Sequence, residues 1–177
     1  MVDSAPYEVE ACSEEIEVRR YPELVLATVD GQDDNSMFGV LFDYIAGENR
    51  ARRKIDMTAP VITSEKIPMT APVISAGGMM SFVMPAGLAP ESVPEPLDAR
   101  VRIERIPARR VAVVRFKGRA GEKTVEEETA LLLCEAGKAG LSPVGKPFLM
   151  RYNSPFTPGF LRRNEVGIEV GRPGPSQ

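Results

Sequence analysis

The sequence predicts an α+β fold, with mostly antiparallel strands bent into a curved or closed sheet and two helices beside it. Three observations carry this. Short segments with alternating or β-branched character recur along the whole chain. Two longer segments switch to helical spacing, one after Met37 and one after Thr124. The order strands, helix, strands then occurs twice, which gives two similar halves. At 177 residues the chain is read as one domain, 1–177, whose halves share a core.

Three strands open the chain: Tyr7–Ala11, Ile16–Tyr21 and Leu24–Asp30, each bounded by turn-like residues. GQDDNS supplies a turn and a helix N-cap at Asn35 or Ser36. In MFGVLFDYIAGE, helical spacing gathers Met37, Leu41, Tyr44 and Ile45, and sets Phe38, Phe42 and Ile45 on a neighbouring face. The helix is therefore apolar around most of its circumference, and Gly47 stops it. A basic connection, ENRARRK, follows.

The next segment repeats itself. KIxMTAPVI runs from Lys54 to Ile62 and again, twelve residues on, from Lys66 to Ile74. Proline cannot donate to a sheet ladder, and it pushes the residue before it into extended backbone. Each copy is thus expected to be a short strand ending at Pro60 or Pro72, the two lying close together around a TSEK turn. Met57 and Met69 serve either this edge or a ligand, since methionine is flexible and polarizable.

Met79–Met84 reads as a strand ending at Pro85. AGLAPESVPEPLDA, with its three prolines, must be loop. Val101–Ile106 and Arg110–Gly118 are strands about a turn at Pro107. Thr124 with Glu127 reads as a capping box. The helix it opens buries Val125, Thr129, Leu132, Leu133 and Ala136, with Cys134 on the far side. Pro147–Tyr152 and Asn164–Val170 are the last strands, before a frayed GRPGPSQ tail.

Composition narrows the chemistry. A net charge of −3 gives no overall electrostatic case for nucleic acid or an anionic membrane. The acidic N-terminus does not read as a signal peptide, and no run of 18 apolar residues exists. Cys12 and Cys134 read as reduced thiols, so a cytoplasmic location is expected. There is no histidine, which excludes a histidine base, triad or haem ligand from this chain. GxGxxG and Walker A sequences are absent too.

The MTAPV core, SFVMP, RVAVVRFKG and YNSPFTPGFLRRNEV appear in that order. Together they resemble the SOUL haem-binding family from about Tyr7 to Val170, and the doubled KIxMTAPV resembles its prokaryotic members. The resemblance implies a distorted β-barrel of two pseudo-symmetric halves with two main helices packed on it. It also implies similarity to the effector-binding domains of transcription regulators. Haem or another tetrapyrrole is then expected in an apolar groove beside the first helix. The residues expected to form the groove are Met37, Phe38, Leu41, Tyr44, Ile45, Met57 and Met69, with Arg52 and Lys54 of the basic cluster for propionates. The excess apolar surface of the helix has a second explanation, a cover formed by the Pro-rich 85–99 loop.

Some members of the family are thought to ligate iron through histidine. Here haem would be held by apolar burial and propionate contacts, or ligated by methionine, Tyr44, cysteine, lysine or water. Arg162 and Arg163 are a second candidate for anionic groups. Glu165 is expected to be a structural carboxylate tied to one of them, although the acidic residue of effector-binding domains faces a cavity. No catalytic residue and no specific metal ligand is assigned. A monomer or weak homodimer is expected, with an enzyme on the same barrel or a haem-independent effector module as the competing readings.

Overall fold

The computed structural model describes residues 3–65, 78–86, 88–153 and 156–171. In chain order the elements are β1 (Asp3–Ser4), β2 (Glu8–Cys12), β3 (Ile16–Tyr21), β4 (Leu24–Gly31), α1 (Asp34–Ala46), β5 (Thr58–Glu65) and β6 (Gly78–Val83). Then come β7 (Arg102–Ile106), β8 (Arg109–Lys117), α2 (Glu122–Lys138), β9 (Pro143–Arg151) and β10 (Arg163–Val170). The second KIxMTAPVI copy, with Met69 and Pro72, lies outside the described residues.

The chain divides into two compact units, Met1–Ala5 with Leu24–Ile106, and Pro6–Glu23 with Pro107–Gln177. The two halves expected from sequence are present, but the hairpin β2–β3 belongs to the second. The cause is pairing: β3 lies antiparallel on β8 from Ile16↔Val114 to Tyr21↔Arg109. Their alternating apolar residues, Ile16, Val18, Ala112 and Val114, join one buried cluster.

In the first unit β5, β6, β4 and β7 pair antiparallel in that order, and β1 adds to β5 in parallel. Val25, Ala27 and Val29 of β4 and Met80 and Phe82 of β6 point the same way at a period of two, and α1 packs on them. The helix starts earlier than the sequence suggested. Asp33 is its N-cap, with a carboxylate oxygen accepting the Ser36 N–H at 2.7 Å, so neither Asn35 nor Ser36 caps it. Gly47 ends it at φ 125°, a conformation glycine adopts without strain.

Pro60 does not end its strand. β5 continues to Glu65, with a cis Ala59–Pro60 bond and a register shift between Thr58 and Val61. A bulge is where a sheet tolerates a residue without an N–H.

In the second unit the order is β2, β3, β8, β10, β9, all antiparallel. α2 covers one face through Leu132 and Ala136. Its N-cap is Gly121, without a side-chain cap bond, so Thr124 falls inside the first turn and the expected capping box does not form. Leu133, expected inside, is 40% exposed. Val125 and Thr129 are half-buried, so the fully buried stripe is narrower than expected. Each unit's strand order has two ends, so neither sheet is by itself a closed barrel. The fold is mostly antiparallel α+β. Among the described residues no helix is long and apolar enough to cross a membrane.

Candidate functional site

Two places concentrate side-chain chemistry, one in each unit. The first surrounds α1. Met37, Leu41, Tyr44 and Ile45 meet as the spacing suggested, but they are buried within the first unit's core. The Tyr44 hydroxyl donates to the Pro94 carbonyl at 2.7 Å. Burial pushes its phenol up to about 12 against the opposing pull of Arg53, so it stays protonated near neutrality. The Pro-rich segment thus covers this side of the helix.

The neighbouring face is different. Phe42 is 48% exposed and Phe38 half-buried, and their rings stack with centroids 6.1 Å apart. Phe38 also meets Phe82 edge-on at 5.2 Å, which anchors the pair to the core. Met57 is half-buried against the same core cluster.

The basic connection is ordered by Asn49. Its amide donates to the Tyr44 and Arg53 carbonyls and accepts the Arg53 N–H. Arg53 in turn donates to the Ser92 carbonyl at 2.7 Å, and Arg50 meets Glu95 at 3.3 Å. Arg52, at φ 47°, and Lys54 are exposed. Of the residues expected at the groove, Phe38 and Met57 retain some surface and Arg52 and Lys54 face solvent; Phe42, not among them, is the large exposed apolar side chain of α1.

The second place lies on the face of the second unit's sheet away from α2. Glu165 of β10 is fully buried and receives a bidentate pair from Arg19 of β3, at 2.7 and 3.0 Å. Arg163 and Arg115 donate to it at 2.7 and 3.1 Å. Arg19 also binds Glu17 at 2.8 Å and Tyr21 Oη at 3.3 Å, and lies 4.3 Å over the Tyr7 ring. Arg163 lies 4.4 Å over Tyr152.

Burial alone would raise the Glu165 carboxyl. Hydrogen bonds from Arg19, then Arg163, outweigh it and hold the group at about 2. Burial raises the Tyr152 phenol well above its usual value, with Tyr21 and Glu165 pushing the same way. Glu165 is a saturated anion here and a poor proton acceptor. The expected tie to Arg163 is present, whereas Arg162 donates its Nε to the Thr157 carbonyl.

Arg19, the dominant partner, was missed from sequence. The signal was available: in IEVRRY the period of two sets Glu17, Arg19 and Tyr21 opposite Ile16 and Val18. That pattern reads equally as a solvated face. Among the described residues no group of three carboxylates or thiols could hold a metal ion. Cys12 and Cys134 are free and exposed.

Antiparallel sheet with one covering helix in each unit is an α+β architecture found in several solved proteins. The C-terminal domain of EcmrR shares it at a TM-score of 0.63 and 12% identity, covering 93% of this chain and 98% of that one. A hydrolase from Listeria innocua shares it at 0.59 and 15%, covering 92% and 94%. EcmrR in a complex with DNA matches at 0.62 and 13%, covering 88% of this chain and 57% of that one. At such identity these likenesses describe the fold alone. No curated protein matches the chain. The chain belongs to the SOUL heme-binding protein family, whose model matches residues 2–169.

Proposed function

We propose that the protein binds haem or a related tetrapyrrole on the outward aromatic face of α1, in buffering, transport or sensing of that ligand. Membership of a heme-binding family supports the ligand class. The observation that carries the location is the stacked Phe38–Phe42 pair, exposed at Phe42, on the helix that the basic connection follows in the chain. A flat ligand laid on this pair would take the exposed Phe42 ring out of water.

These residues fit the group. Flat apolar rings suit a macrocycle, and Arg52 and Lys54 suit propionates. Haem would contribute its flat apolar surface and an iron centre. This chain has no imidazole to ligate that iron, and the Tyr44 phenol is protonated and bonded to Pro94. Binding is then expected to rest mainly on apolar contact and charge, with the Met57 thioether, the Lys54 amine, a cysteine thiolate or water left as ligands for the iron. Apolar contact of a few hundred Å2 at roughly 25 cal/mol per Å2 gives several kcal/mol before ordering costs. The two free cysteines suit a reducing, cytoplasmic compartment. Saturation of Glu165 by arginines disfavours a proton-transfer role for it, and so disfavours an enzyme built on that residue. Hydrogen exchange with and without haemin tests the location. Protection is expected in α1 and the 49–54 connection. Protection confined to β3, β8 and β10 would move the site to the arginine cluster.

A further inference from the structure

The motif between β9 and β10 is used by neither site. There, Phe156, Phe160 and Leu161 are 95%, 76% and 60% exposed, three large apolar side chains within six residues. Two bonds close the segment: the Leu161 N–H donates to the Pro158 carbonyl, and the Arg162 side chain donates its Nε–H to the Thr157 carbonyl.

Cations surround this turn. At the turn end of the β9–β10 pair, residues 151–163 contain no Asp or Glu but include Arg151, Arg162 and Arg163, in a chain of net charge −3. Arg119 lies directly against it: a Cβ at Gly159 would sit 2.9 Å from the Arg119 Cγ, so the glycine lets this side chain approach. Lys117 pairs with Arg163 at the adjoining strand ends, and both Lys117 and Arg119 are exposed. Lys117 alternates with Phe116, which faces the α2 side. The acidic start of α2 (Glu122, Glu126, Glu127, Glu128) therefore belongs to the other face of the sheet.

We infer that the Gly159–Leu161 turn is a docking tip for a lipid bilayer bearing anionic headgroups. Phe160 and Leu161 enter the interfacial layer, and Lys117 and Arg119 meet the headgroups. Size argues against a protein partner. Phe160 and Leu161 bury at most about 150–250 Å2 each, well short of the roughly 800 Å2 per partner of a stable protein interface. A bilayer needs no matching surface, only a narrow apolar point ringed by cations.

Co-sedimentation with vesicles tests this, using the full chain and either pure phosphatidylcholine or a mixture with phosphatidylglycerol. The expected result is partition onto the mixed vesicles only, released at high salt. Phe160→Ser/Leu161→Ser should lower the partition coefficient at least about tenfold, and Lys117→Glu/Arg119→Glu should do so separately. All four positions are exposed, and unchanged melting temperatures would verify that these variants fold. Equal partition by the apolar variant, or no partition onto anionic vesicles, overturns the proposal. So does a dimer of the parent chain that dissociates in Phe160→Ser/Leu161→Ser, which would make the tip a self-association face.

Discussion

Arg19 and Glu165 show how a polar pair is kept inside a sheet face. A lone carboxylate at zero exposure would neutralise itself, but this one holds its charge because guanidinium groups replace its water. Arg19→Met should cost about 3–5 kcal/mol, since it strands a buried charge. Arg19→Met/Glu165→Met should cost less than the single change, and urea unfolding of both variants checks the order. The acid limb follows from the same residue. Its folded carboxyl, at about 2, lies below the ordinary 4.5, so the unfolded chain binds the proton more tightly. The stabilisation is complete above about 4.5 and fades as pH falls toward 2. Urea midpoints at pH 7, 4 and 3 should fall in that order, and flat midpoints would count against the pairing. Glu165 and Arg163 were legible in RRNEV. Arg19 was not, because a buried arginine and a solvated one have the same sequence signature until the partner strand is known.

The elements were legible where alternation or helical spacing was strong. The Ile16–Tyr21 strand matches its expected bounds, and β4 and β8 match within one residue. Errors fell where a cap or bulge decides the outcome. Asp33, three residues before Ser36, had the geometry to cap α1, while α2 begins at a glycine whose cap leaves no side-chain signature. Pro60 sits in a bulge that only the β6 pairing reveals. The two faces of α1 predict contrasting mutations. Leu41→Ala should cost about 2–5 kcal/mol, as for other core truncations. Phe42→Ser, on the exposed face, should change stability by less than about 0.5–1 kcal/mol. Asp33→Ala should cost about 1 kcal/mol through the lost cap. Thermal melts of the three variants check the ranking. Comparable losses for Leu41→Ala and Phe42→Ser would mean that Phe42 is core, which would remove the argument for a ligand face.

For the whole chain, the repeated strand–helix–strand order was legible, but unit membership was not. The hairpin of residues 8–21 precedes α1 in sequence yet pairs with β8, a contact nearly a hundred residues away. Only the matching alternation of Ile16–Val18 with Ala112–Val114 hints at it. The family was legible through its ordered motifs; the exposed face of α1 was not, because helical spacing groups residues without saying which group meets solvent. The central claim is haem binding on the Phe38–Phe42 face, and a haemin titration of the purified chain followed by visible spectra tests it most directly. A saturable Soret change is expected at micromolar protein, without the bands of a bis-nitrogen six-coordinate haem. Phe42→Glu should weaken it at least about tenfold, or about 1.4 kcal/mol. No spectral change at micromolar protein, or a folded Phe42→Glu that binds haemin as tightly as the parent, would contradict it.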